Sequence, residues 1–108
     1  MRLEARIDVF AGRFASQPLA FAHLLDQAER RGLSPDLDHV EVIAPPHAAR
    51  LRGFFDAATA GALAAEAGAD ALILVLPGAL VRGAFAPDAR LRALGRREGR
   101  ITRAGAAP

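Results

Sequence analysis

The residues best suited to chemistry form an acidic hexad, Asp36-Leu37-Asp38-His39-Val40-Glu41, directly before an apolar run. Three carboxylates beside a histidine could supply oxygen ligands to a hard divalent cation. Alternate side chains share a face in an extended segment, so Asp36 and Asp38 would point one way and Glu41 the other. The spacing therefore favours a capped turn, whose acids accept hydrogen bonds from backbone N–H groups, pair with arginine or contact a partner.

Other residues that could do chemistry complete no familiar site. His23, His39 and His47 lie 16 and 8 residues apart, which matches no compact metal-binding motif. We expect these histidines at the surface or in helix caps. Ser16 and Ser34 are explained as cap and turn residues, and neither lies in a nucleophile elbow.

Composition narrows the function classes further. The 108 residues include no Cys, Lys, Trp or Tyr, and all 14 basic residues are arginine. Thiolate metal sites, disulfides and a cysteine nucleophile are therefore excluded, and a P-loop would lack its lysine. We expect no catalytic residue, no metal and no cofactor. The longest apolar run, 71–76, is too short to span a bilayer, and no signal-peptide core is present, so the expected location is the cytoplasm.

Arginines are concentrated towards the C-terminus, which raises the possibility of a nucleic-acid ligand. Residues 76–108 hold 7 arginines against 2 acidic residues, whereas residues 1–75 hold 7 against 10. Six of these arginines could contact phosphate: Arg90, Arg92, Arg96, Arg97, Arg100 and Arg103. No aromatic residue is interleaved with them, so base stacking is unsupported, and a solvated face is the expected role.

Hydrophobic periodicity predicts the elements that position these residues. Alternation of apolar and charged side chains predicts a strand at 3–10, and apolar runs predict strands at 40–44 and 71–76. A period of 3.6 residues predicts a helix at 18–31, and weaker patterns predict helical segments within 47–67.

This order of elements predicts an α+β fold. One or two further strands, at 79–85 and 91–94, would complete a mixed sheet of about four to five strands. The helices would pack on one face of that sheet, giving a two-layer sandwich. We expect residues 1–101 to form a single domain and residues 102–108 to form a flexible C-terminal tail.

Several short motifs follow one another in a definite order between Ile7 and about Gly99. They are Phe10-Ala11-Gly12 followed by Phe14, a helix, the D-x-D-x-x-E pattern at Asp36, Asp38 and Glu41, a helical pair, the apolar strand 71–76 and the pair Leu94-Gly95. This order resembles the Immunity protein 22 family of bacterial polymorphic-toxin systems. The family has tryptophan where Phe10 stands, and an aromatic residue where this chain has Pro77-Gly78.

The resemblance implies a small cytoplasmic binding protein that neutralises a cognate toxin stoichiometrically and is not an enzyme. We expect Asp36, Asp38, His39 and Glu41 to be the partner-binding residues, since acidic groups can mask a basic toxin groove and speed association. Neither a membrane nor a nucleic acid is an expected partner. Two alternatives stay open: a small divalent-metal-dependent hydrolase built on the three carboxylates, and a nucleic-acid-associated regulator that uses the arginine-rich C-terminal segment.

Overall fold

The computed structural model describes residues 2–102, with side chains from residue 4 to residue 101. The elements in chain order are β1 (Arg2–Gly12), α1 (Gln17–Arg30), a 3₁₀ turn (Leu37–His39), β2 (Val40–Ile43), α2 (Ala48–Leu51), α3 (Ala57–Ala67), β3 (Ala71–Val75) and β4 (Arg92–Thr102). The predicted strands at 3–10, 40–44 and 71–76 and the predicted helices are confirmed, with small shifts of their ends. No helix in this part of the chain is long and apolar enough to cross a membrane.

The four strands form one open sheet in the order β2-β3-β1-β4, which confirms the α+β class. Every neighbouring pair is antiparallel, so the sheet is not mixed as predicted. The crossover through α1 does make β1 and β2 run in the same direction. However, β3 lies between them and runs the opposite way, so the two parallel strands never pair.

Helices cover both faces of the sheet, whereas the sequence predicted helices on one face. On one side, Leu24 and Ala28 of α1 pack in a cluster with Val42 and Ile73. On the other side, α2 and α3 contribute to a second cluster that contains Ile7, Leu72 and Leu74. All five residues of β3 are buried. Because alternate side chains of a strand point to opposite faces, a fully buried strand needs cover on both.

The connection from β3 to β4 differs from the prediction. Residues 79–85 are not a strand but part of an irregular segment, 76–91, which we call the β3–β4 loop. Gly78 and Gly83 have φ values of +96° and +77°, a left-handed conformation that breaks an extended strand. The predicted strand at 91–94 is the beginning of the much longer β4. The predicted tail, 102–108, lies outside the described residues apart from Thr102, the last residue of β4.

Charged side chains cover one face of the β1–β4 pair where no helix packs on it. One face carries three directly opposed pairs of unlike charge: Glu4 with Arg100, Arg6 with Glu98, and Asp8 with Arg96. In the last pair the Arg96 guanidinium donates to Asp8 Oδ1 at 2.8 Å, and this hydrogen bond raises the pKa of Arg96. Opposed unlike charges stabilise an antiparallel pair, so this face needs no helix over it.

Candidate functional site

The acidic hexad folds as a capped 3₁₀ turn, which confirms that interpretation of its sequence. Asp36 is the N-cap, and its Oδ1 accepts a hydrogen bond from the backbone N–H of Asp38 at 3.1 Å. The other carboxylate oxygen of Asp36 lies 3.1 Å from Nδ1 of His39. The Asp36 carboxylate therefore holds the turn together, while the Asp38 carboxylate is exposed to solvent.

Glu41 belongs to a different part of the surface. It lies on β2 and accepts a hydrogen bond from Arg50 of α2, with 2.7 Å between Oε2 and Nη2. The three carboxylates of the hexad are therefore directed at separate neighbours rather than at one point. Among residues 2–102, no three His, Asp or Glu side chains come together in a group that could hold a metal ion. The geometry gives the hydrolase alternative no assembled site.

Backbone hydrogen bonds join the hexad to the β3–β4 loop. The N–H of Asp36 donates to the carbonyl of Ala79 at 2.7 Å, and the N–H of Leu76 donates to the carbonyl of His39 at 2.9 Å. The His39 ring also packs against Gly78, where an added Cβ would lie 3.2 Å from His39 Cδ2. The first four residues of the hexad, 36–39, and the first part of the loop are therefore joined side by side.

The far end of the β3–β4 loop is fixed to α1 by Gln27, which is only 5% exposed. Its Nε2 donates to the carbonyl of Ala86 at 2.9 Å, and its Oε1 accepts from the N–H of Ala86 at 2.8 Å. The same Nε2 also donates to Oδ2 of Asp88 at 2.9 Å. One buried amide thus satisfies both backbone groups of a loop residue.

Asp88 completes this attachment, and we call Gln27, His23 and Asp88 the loop anchor. Oδ1 of Asp88 accepts hydrogen bonds from the N–H groups of Arg90 at 2.8 Å and Leu91 at 3.0 Å. Its Oδ2 lies 2.8 Å from Nε2 of His23. Desolvation would raise the pKa of Asp88, but hydrogen bonds from the Arg90 backbone, Gln27 and His23 together lower it to about 2.

The three histidines match the predicted surface or cap positions to different degrees. The side chain of His23 is 15% exposed and belongs to the loop anchor. His47 precedes α2 in the cap position, but it is buried, and its Nε2 lies 2.8 Å from the carbonyl oxygen of Asp70. Of the three, His39 is the one that belongs to the hexad surface.

Between its two attachments the β3–β4 loop has a segment, residues 80–84, which we call the loop tip; its residues 81–84 are exposed and Leu80 is half-buried. Ala79 before it and Phe85 after it are buried in the core cluster of α1. Val81 is 98% exposed, twice the value of the other large exposed hydrophobic side chains in the described chain. The tip therefore projects Val81 and the neighbouring Arg82 into solvent from a firmly held base, beside the exposed carboxylates of the hexad.

The arginine-rich C-terminal segment does not form one basic patch in the described residues. Arg92 pairs with Asp70, Arg96 with Asp8 and Arg97 with Glu66, at 3.1, 2.8 and 3.3 Å. Arg96 and Arg97 project to opposite faces of β4, and Arg103 lies outside the described residues. This arrangement gives a nucleic acid no continuous positive track, so it does not favour the regulator alternative.

Sequence reasoning found the hexad but missed the loop anchor and the loop tip. A usable signal existed for Gln27, which follows Leu24 by three residues and so lies on the buried side of α1. Pro87-Asp88 is also a turn signal. The contact between them spans 61 residues in sequence, and no local pattern shows it.

Comparisons with protein-family models, with curated proteins and with solved structures find no match to this chain. The resemblance to the Immunity protein 22 family therefore stays a prediction, supported by the order of motifs alone.

Proposed function

We propose that this protein acts by stoichiometric binding to another protein, through a surface made by the loop tip and by Asp36, Asp38 and His39 of the acidic hexad. The observation that carries the proposal is that the long β3–β4 loop is fixed at both ends and exposed in between. A segment of this length without helix or strand is unusual in a small domain and is commonly functional. Here it is attached at both ends and leaves Val81 almost fully exposed.

The attachments matter because ordering a loop on binding costs free energy. The hydrogen bonds of Asp36 and the loop anchor already fix the backbone on either side of the tip. A partner that buries Val81 therefore does not have to order the base of the loop as well. Preorganised surfaces of this kind retain more of the free energy gained from burial.

The hexad contributes charge beside this apolar contact. Asp36 and Asp38 are exposed, and Asp38 makes no ion pair within the described residues. The turn is joined to Ala79, directly before the tip, so the two features lie close together on the surface. Exposed acids at the margin of an interface increase the association rate of a basic partner.

The partner we propose is a cognate toxin of a bacterial polymorphic-toxin system, bound and neutralised in the cytoplasm. This part of the proposal rests on the motif order, above all on Asp36, Asp38 and Glu41 at the start of β2. An acidic surface with an apolar centre would suit a basic active-site groove. Neutralisation by occlusion needs no catalytic group on this chain.

Co-expression with the toxin encoded by the adjacent gene tests the role in cells. The wild-type protein should restore growth, and the two purified proteins should form a complex of one to one stoichiometry. Growth arrest despite a well-expressed wild-type chain would refute the toxin assignment.

Two substitutions test the surface itself. Val81→Ser removes an apolar contact worth about 1–2 kcal/mol, which predicts dissociation roughly ten times faster. Asp38→Asn should slow association several-fold at low ionic strength and have little effect at high ionic strength. Matched controls are Leu19→Ser, on an exposed side chain of α1, and Glu29→Gln, on the same helix. Equal effects of test and control variants in surface plasmon resonance would place the interface elsewhere.

A further inference from the structure

A cleft of about 440 Å³ opens where β1 ends and β4 begins, away from the loop tip. Its wall contains Arg13 from one end of the chain, Arg90 and Arg92 from the other, Asp70 and the backbone around Gly12. The sequence grouped Arg90 and Arg92 with the C-terminal arginines. The fold places these two arginines beside Arg13, from the other end of the chain.

Asp70 lies between two of these guanidinium groups and contacts both of them. Its Oδ1 lies 3.5 Å from Nε of Arg13, and its Oδ2 lies 3.1 Å from Nη2 of Arg92. The Asp70 side chain is only 19% exposed, so the carboxylate forms the floor of the cleft rather than its rim. Arg92 is further fixed by donation to the carbonyl of Glu66 at 3.3 Å. Each guanidinium carries five N–H donors, so donors remain for a ligand.

Arg90 is positioned independently of Asp70. Its guanidinium carbon lies 4.7 Å from the centroid of the Phe14 ring, in a cation–π arrangement. The same group donates to the carbonyl of Arg13 at 3.2 Å. Gly12 permits this close packing, because a Cβ there would lie 2.4 Å from the Arg90 carbonyl oxygen. The third positive charge is therefore held in place before any ligand arrives.

We infer that this cleft binds the dianion of a phosphate monoester. The three guanidinium groups and Asp70 give the cleft a formal charge of +2 at neutral pH, which matches a phosphate dianion and exceeds the charge of a carboxylate. The three terminal oxygens of a phosphate monoester can each accept from a different arginine. The Arg13 side chain is 85% exposed, so its N–H groups that do not face Asp70 are accessible to the bound group.

Titration with inorganic phosphate at constant ionic strength tests this site, with detection of arginine Nε–H resonances by NMR. We expect millimolar binding, with the largest shifts at Arg13, Arg90 and Arg92. Arg13→Gln and Arg92→Gln should each weaken binding about five-fold, as expected for one charge-assisted contact in an open site. Arg52→Gln is the control, because it removes an equal charge from an exposed residue after α2.

Two further probes identify the source and class of the ligand. A short peptide with one phosphoserine should bind at least as well as inorganic phosphate if the natural ligand is a modified side chain, and more weakly if it is a free anion. Acetate should bind at least ten times more weakly than phosphate, because it carries a single charge. The inference is overturned if none of the three arginine resonances shifts at about 20 mM phosphate. Acetate binding as tight as phosphate, or an equal loss in Arg52→Gln, would also overturn it.

Discussion

Replacement of Gln27 by methionine tests whether the loop anchor fixes the β3–β4 loop. Methionine has nearly the same length and shape but cannot form the three hydrogen bonds that Gln27 makes. The N–H and carbonyl of Ala86 would then lose their partners, and Asp88 would lose one donor. Because Gln27 is 5% exposed, water cannot fully replace its amide at the site.

The expected magnitude follows from these contacts. A buried backbone group left without a partner costs about 1–3 kcal/mol, and a hydrogen bond to a charged acceptor contributes about 1.5–3 kcal/mol. Ala86 is only half-buried, so its two groups can recover part of this loss from water. Burial of the methionine side chain offsets about 1 kcal/mol more. We therefore expect Gln27→Met to lower the free energy of unfolding by about 2–3 kcal/mol.

Urea denaturation measures this change, and hydrogen exchange locates it. The Ala86 amide donates to the Gln27 side chain, so its exchange should accelerate at least ten-fold in the variant. Gln17→Met is the matched control, because Gln17 is exposed at the start of the same helix and makes one long contact of 3.5 Å. A loss of less than 0.5 kcal/mol, about the effect of a neutral surface change, together with unchanged Ala86 exchange would refute the anchoring role.

Three further predictions concern acid, packing and metal. The pKa of Asp88 is about 2 in the folded protein, below its ordinary value of 3.8. The Asp88 carboxylate therefore stabilises the fold fully above about pH 4, by about 1 kcal/mol after discount for solvent screening, and this stabilisation is lost as pH falls towards about 2. The Asp88→Asn variant should lack this pH dependence. Gly99→Ala should lower the free energy of unfolding by about 1–3 kcal/mol in urea denaturation, because the added Cβ would lie 2.6 Å from the Phe54 carbonyl oxygen. Gly61→Ala, which has open space around it in α3, should raise the free energy of unfolding by about 0.5–1 kcal/mol. Calorimetry with Mg²⁺, Mn²⁺, Ca²⁺ and Zn²⁺ should show no micromolar binding at the hexad, whose carboxylates have separate neighbours.

Distinct outcomes would contradict each of them. Parallel stability curves for wild type and Asp88→Asn between pH 5 and pH 2 would mean that the carboxylate is not held by its donors. Equal effects of Gly99→Ala and Gly61→Ala would mean that β4 does not pack closely on the Phe54 backbone. Micromolar metal binding that Asp38→Ala abolishes would restore the hydrolase alternative.

The sequence was sufficient for the elements whose burial follows a simple period. Helix α1 has a serine cap, an apolar stripe and a basic last turn, and its bounds were predicted within one residue. The unbroken apolar run at 71–76 predicted a strand, and such a run is typical of a strand buried on both faces. The placement of helices on both sides was not predictable in the same way, because the period of a strand does not show which helix covers which face.

The position of β4 was less predictable. Its segment Gly95-Arg96-Arg97-Glu98-Gly99 is polar and contains two glycines, so it has little intrinsic tendency to form a strand. It is extended because it pairs with β1 along its whole length, a contact about 90 residues away in sequence. Tertiary pairing here overrides local preference. The same limit applies to the candidate sites, since the loop anchor and the arginine cleft each join residues from distant parts of the chain.

The construction of the β4 edge bears on where a protein partner can bind. A long edge strand is the usual place for a second chain to add by β-pairing. On β4, however, the Arg100 N–H donates to the Phe54 carbonyl at 2.6 Å, and the Leu94 carbonyl accepts from the Arg97 guanidinium at 3.0 Å. A register shift between Val9 and Phe10 further interrupts the regular pairing with β1 near Leu94. Strand addition on β4 would have to break these contacts, whereas a partner that binds at the loop tip proposed above would leave them intact.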